Sequence, residues 1–203
     1  MFNKIANFCM RKTAGLMLER YADYPSATTA LLLIDVQKAL IANQGIDESI
    51  RRLVTTCREN GILIIYSNFD AKAKLHLPVP AQSEMQARMS SVCHGDSNPE
   101  FAQTQVDDII LPARTTLSAF ADSRLEAILH ERKIEHLVIA GPLANIGPDS
   151  TGRDGVEFGF HITMLADCTS ADTPEALKAA VEVTWTRFAQ TVFTLKDFLK
   201  KVH

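Results

Sequence analysis

Three residues with chemical potential each follow a run of apolar residues. Asp35 closes the strand-like A-L-L-L-I-D at the head of Ala30–Gln37. Arg114 opens R-T-T-L-S-A-F (Arg114–Phe120), shortly after the apolar Ile109–Leu111. Gly147 sits in L-V-I-A-G-P-L-A-N-I-G-P-D-S-T-G-R-D (Leu137–Asp154), which reads as a strand, a sharp turn and a helix start. A carboxyl at the end of a buried strand is partly desolvated, which favours its neutral form and lets it serve as an acid. An arginine stays charged and presents a planar fork suited to a carboxylate, so Arg114 is read as an anchor and electrostatic partner, not a proton shuttle.

Each residue also has a plainer explanation. Asp35 can turn the chain or cap a short helix, and Arg114 can be a surface arginine on a loop. Gly147, Pro148 and Asp149 suit a helix N-terminus, with glycine as cap, proline at the first position and an acidic first turn. Gly152 and Gly155 inside the same predicted helix cost roughly 1 kcal/mol each relative to Ala, and close helix–sheet packing explains them. No lysine follows these glycines as a phosphate loop would require, and G-P-L-A-N-I-G is not a dinucleotide fingerprint.

The elements that position these residues follow from periodicity. Strands are expected at Ala30–Asp35, Ile62–Ser67, Ile109–Leu111, Leu137–Ala140, Ile162–Leu165 and Thr191–Phe193, and helices at Asp47–Asn60, Ala81–Ser91, Asp122–Arg132, Pro148–Gly159 and Pro174–Arg187. Gly61 closes the first helix and Asp172–Pro174 opens the last. Runs such as L-L-L-I and I-L-I-I lack polar alternation, so both faces of the sheet must be covered. The fold class is therefore α/β, a doubly wound and mostly parallel six-stranded sheet in three layers with Rossmann-type topology and Ala30–Asp35 central. Ligands in such sheets bind at the carboxyl ends of the strands, where Asp35, Arg114 and Gly147 all fall.

Composition bounds the rest. With 203 residues, 46% of them hydrophobic, and a net charge of −3, the chain suits one domain with a sizeable core and excludes a basic nucleic-acid surface or polybasic membrane anchor. Its longest apolar stretch is about half of what spans a bilayer. Residues 1–24 read as an N-terminal helical arm, without the apolar core and cleavage site of a signal peptide, and 25–203 as the domain. Cys9, Cys57, Cys93 and Cys168 are widely spaced and fit free thiols in a reducing cytoplasm. Cys168 is read as a packed thiol. His76 and His94 flank a predicted loop, but no metal-ligand spacing accompanies them, so neither a metal nor another cofactor is expected.

In their order and spacing, the first strand, R-T-T-L-S-A-F-A-D-S-R-L and the turn with D-G-V-E-F-G-F-H-I-T-M-L-A-D resemble the isochorismatase-like hydrolase family from about Ala30 to Leu199. That family combines an Asp after the first strand with a Lys and a Cys. The resemblance places Asp35 at the Asp, Arg114 at the Lys and Gly147 at the Cys, which removes the thiol that amidase members need for acyl transfer. Pro148 also lacks an N–H for an oxyanion. The nearest likeness is to isochorismatases of siderophore and phenazine pathways, which carry A-x-x-G in this turn and split isochorismate into pyruvate and a dihydroxy-cyclohexadiene carboxylate. Vinyl-ether hydrolysis begins with carbon protonation and needs no thiol. The resemblance thus implies catalysis by Asp35, Arg114 and Gly147, and substrate contacts from Gln37, Phe69, Leu143 and Asn145. It also implies a small carboxylate as partner and a homo-oligomer. Two departures stand out: Leu143 replaces a tyrosine and Phe69, in Y-S-N-F-D (Tyr66–Asp70), replaces a glutamine. The alternative is a non-catalytic member that binds a small carboxylate or serves as a structural subunit.

Overall fold

The computed structural model describes residues 23–41, 45–70, 72–73, 79–92, 104–121 and 124–202. Residues 1–22 of the N-terminal arm, Cys9 among them, and Cys93, His76 and His94 lie outside them, while Tyr24 at the end of the arm is buried in a core. In chain order the elements are β1 (Thr29–Ile34), α1 (Lys38–Ile41), α2 (Asp47–Glu59), β2 (Leu63–Ser67), α3 (Pro80–Val92), β3 (Ile109–Ile110) and α4 (Leu125–Glu131). There follow β4 (His136–Gly141), α5 (Gly147–Glu157), β5 (His161–Thr169), α6 (Pro174–Ala179), β6 (Thr191–Phe193) and α7 (Leu195–Leu199).

The six strands form one sheet in the order β3-β2-β1-β4-β5-β6, and every neighbouring pair is parallel. All six residues of β1 are buried, because β2 and β4 flank it and helices cover both faces. Side chains alternate between two cores: Leu31 and Leu33 pack with α2 and α7, while Leu32 and Ile34 pack with α4 and Trp185. The connection order reverses between β1 and β4, the switch point beside which ligands bind in doubly wound sheets. Among the described residues no helix is long and apolar enough to cross a membrane.

Several boundaries differ from expectation for physical reasons. Asp35 leaves β1, with φ at +56°. The expected helix Pro174–Arg187 breaks into α6, a π turn at Ala180–Thr184 and a 3₁₀ turn at Trp185–Arg187. The widened turn coincides with burial of Ala180, Val181 and Trp185 against the sheet. β5 continues past Leu165 to Thr169 across an irregular register with β4. Helix α5 begins at Gly147, with Ile146 as its cap, not at Pro148. A Cβ on Gly155 would lie 2.7 Å from Ile162 Cδ1 of β5, so this glycine is there for close helix–sheet packing.

At the amino edge of the sheet, buried His136 stacks on His161 across the β4–β5 pair, with ring centroids 5.3 Å apart. Burial lowers the His136 pKa below its ordinary 6.5, with His161 adding to the shift and Glu135 opposing it. The unfolded chain therefore binds the His136 proton more readily than the folded one. This contribution to stability is full above the ordinary value and is lost as pH falls from there through the lowered folded value. Denaturant titrations from pH 8 to pH 5 are expected to show falling stability, with a shallower slope in His136→Gln; an unchanged slope in that variant would refute the assignment.

Candidate active site

The turn after β1 aims a carboxylate into the fold. The Asp35 N–H donates to the Ser67 carbonyl at 3.0 Å and the Gln37 N–H to the Asp35 carbonyl at 2.8 Å, which holds the left-handed backbone. The side chain is fully buried, and Oδ1 accepts the Phe69 N–H at 2.7 Å.

Arg114 reaches Asp35 because the chain beyond β3 keeps running beside the segment after β2. Its N–H donates to the Asn68 carbonyl at 2.9 Å, its carbonyl accepts the Asp70 N–H at 2.8 Å, and Phe69 and Arg114 form a parallel bridge. The guanidinium then lies over the end of β1. Nη1 donates to Asp35 Oδ1 and Nη2 to Oδ2, both at 2.7 Å, in a two-pronged ion pair with Arg114 only 1% exposed. The remaining donors go to carbonyls: Nη1 to Ser67 at 3.2 Å, Nη2 to Leu117 at 3.3 Å and Nε to Leu117 at 3.4 Å. An arginine has five N–H donors, and these contacts engage all of them: two from Nη1, two from Nη2 and one from Nε.

Gly147 completes the arrangement from α5. A Cβ there would lie 2.8 Å from Ile34 Cγ2, 2.9 Å from Asp35 Oδ2 and 3.1 Å from Arg114 Nη2. The ion pair thus fills the space that any side chain at this position would enter. Close approach, more than helix capping, requires the glycine.

The other sequence candidates are placed unevenly. Buried Gln37 donates through Nε2 to the Phe69 carbonyl at 2.8 Å, fixing the segment whose N–H holds Asp35. The Phe69 ring lies 6.0 Å from the Arg114 guanidinium carbon. Leu143 is fully buried with φ at +58°, a costly backbone for a leucine. Asn145 is exposed, unlike the rest of the group. The backbone acceptors of Ser67 and Leu117 and the Ile34 methyl were not flagged by sequence reasoning, since main-chain groups carry no residue signature.

Both described cysteines lie in the interior. Cys57 and Cys168 are buried in one apolar core. Burial pushes the Cys57 thiol up to about 12, and burial, with Asp167 and Cys57 adding, raises Cys168 well above its usual range. Among the described residues no group of three or more His, Cys, Asp or Glu side chains could hold a metal ion.

Comparison with known proteins gives a consistent picture. Residues 29–194 match the isochorismatase domain family. The ureidoacrylate amidohydrolase RutB of Yersinia enterocolitica is 26% identical over 192 residues, covering 78% of this chain and 82% of that protein. A cysteine hydrolase from Pseudomonas syringae pv. phaseolicola superposes with a TM-score of 0.75 at 19% identity, covering 90% of this chain and 95% of its own. An isochorismatase-like hydrolase from Alkaliphilus metalliredigens gives a TM-score of 0.70 at 20% identity, covering 90% and 100%.

Breaking the buried pair from one side should be costly. Asp35→Leu and Arg114→Met are each expected to lose about 3–5 kcal/mol, whereas the double replacement Asp35→Leu with Arg114→Met should lose far less, because no lone charge remains inside. Gly147→Ala should lose about 1–3 kcal/mol by overpacking. Equilibrium denaturation checks all four; additive losses in the double variant would show that the two side chains are not coupled.

Proposed function

This chain belongs to the isochorismatase domain family of hydrolases, and from that premise we propose that it hydrolyses a small carboxylate substrate without a thiol. The observation that carries this reading is the position of Gly147, where a side chain would collide with the Asp35–Arg114 pair. Acyl transfer to a cysteine, as in an amidase, has no place to occur at this position.

The chemistry starts when a substrate carboxylate takes the Arg114 fork from Asp35. A buried carboxylate left without its partner takes up a proton, since an isolated charge in that position is strongly disfavoured. Asp35 is then an acid. Its proton adds to the terminal carbon of an enol ether, water captures the resulting oxocarbenium carbon and passes its surplus proton to Asp35, and the hemiketal collapses to a ketone and an alcohol, the proton leaving to solvent with the products. Asp35 returns to its carboxylate form and the pair closes again. Arg114 stays charged throughout and acts by exchange of partners. Loss of tyrosine at Leu143 and glutamine at Phe69 disfavours isochorismate itself, because a hydroxylated ring would find no matching hydrogen bonds there.

A second reading, a non-catalytic member, draws on one specific observation. With every Arg114 donor engaged inside the protein, the resting pair offers no free N–H to a ligand. The pair would then be a permanent structural plug.

Turnover separates the two. With a panel of enolpyruvyl ethers, a coupled lactate dehydrogenase assay should detect pyruvate, with isochorismate among the weaker substrates. Asp35→Asn should lower the rate by on the order of 10²-fold or more, and cysteine alkylation should leave it unchanged. Activity lost on alkylation but retained in Asp35→Asn would overturn the acid mechanism. No turnover of any enol ether or amide, together with an intact fold, would favour the non-catalytic reading.

A further inference from the structure

A third apolar cluster lies apart from the two cores that hold the sheet. It buries Leu40, Phe69, Met89 and Leu143, with Met85, Leu117 and Ile146 packed against them. Three of its members border the ion pair. Phe69 donates its N–H to Asp35, Leu117 gives its carbonyl to Arg114, and Ile146 immediately precedes Gly147. Buried Gln37 is already committed to the Phe69 carbonyl. A tail that runs from a carboxylate held by Arg114 into this cluster would meet hydrocarbon.

Among the described residues, little holds the helix that supplies the two methionines. Met89 is the one side chain of α3 that is buried among those described, Met85 is half-buried, and Ala81–Glu84 are exposed. No other described element packs broadly against α3. The Gln86 amide adds an anchor by donating to the Ala73 carbonyl. Methionine is unbranched and adaptable, so it fills an apolar space and can leave it at modest cost.

We propose that Met85 and Met89 occupy the site of the substrate's tail, and that the substrate is a carboxylate bearing a compact, unhydroxylated hydrocarbon group which displaces them. This rests on the reading that Arg114 receives the substrate carboxylate. A hydroxylated tail of equal length would leave its hydroxyls unpaired against Phe69 and Leu143, and such mismatches separate ligands strongly.

Hexanoate and gluconate, both six-carbon carboxylates, are the probes. Calorimetric titration of the whole chain is expected to show hexanoate binding about tenfold or more tighter than gluconate. With carbon-13 labelled methionine methyls, the Met85 and Met89 resonances should shift on adding hexanoate and not on adding gluconate. Met89→Ala, which removes the occupant, should tighten hexanoate several-fold and leave gluconate unchanged. Equal affinities, a gluconate preference, or hexanoate binding that leaves both methionine signals in place would overturn the proposal. The variant Asp35→Leu with Arg114→Met separates it from the anchor reading. If that variant loses both probes although the wild type shows no tail preference, the anchor stands and the tail site falls. If hexanoate binding and the methionine shifts survive in it, the tail site stands and the anchor falls. No binding of either probe to the wild type overturns both.

Discussion

The ion pair between Asp35 and Arg114 sets the terms for everything at this edge of the sheet. A carboxylate and a guanidinium taken wholly out of water are tolerated only when geometry and hydrogen bonding make up for lost solvation. Here Asp35 accepts two guanidinium prongs and a backbone N–H, while Arg114 spends its other donors on two carbonyls. Meeting those demands dictates the backbone nearby. The chain after β3 must run alongside Asn68–Asp70, the chain after β1 must turn through a left-handed residue, and α5 must begin with a residue that has no side chain. Change one partner, and the reasons for the other features vanish.

That dependence also explains why a lysine could not do what Arg114 does. A lysine ammonium is a compact point charge that can give up its proton, and it carries no planar fork. The guanidinium is broad enough to cover both carboxylate oxygens and to approach the Cβ direction of Gly147 as well. Arginine at 114 and glycine at 147 are therefore two parts of one solution to a space problem.

Much of this was legible in the sequence, but unevenly. The central strand and its parallel neighbours follow from apolar runs without polar alternation, and the sheet has that order and direction. The gathering of Asp35, Arg114 and Gly147 follows from the rule that strand carboxyl ends share one edge. Three things were hidden. The closure of the pair depends on the main-chain oxygens of Ser67 and Leu117, which no residue type announces. The break at Ala180 hides inside a continuous helical pattern, because it answers to the packing of Trp185 and not to local propensity. Asn145 looked equivalent to its neighbours in the turn, yet the positive φ at Leu143 directs the chain so that Leu143 faces inward and Asn145 outward.

Burial of the pair also decides which agents can disturb it. Mobile ions weaken charge pairs that water can reach, such as Arg51 with Asp47 or Arg153 with Asp149 on helix surfaces, where about half of each arginine side chain is exposed. Asp35 and Arg114 have almost no contact with solvent, so a rise in ionic strength passes over them. The helix-surface pairs answer to the salt of the medium, and the buried pair answers only to the packing around it.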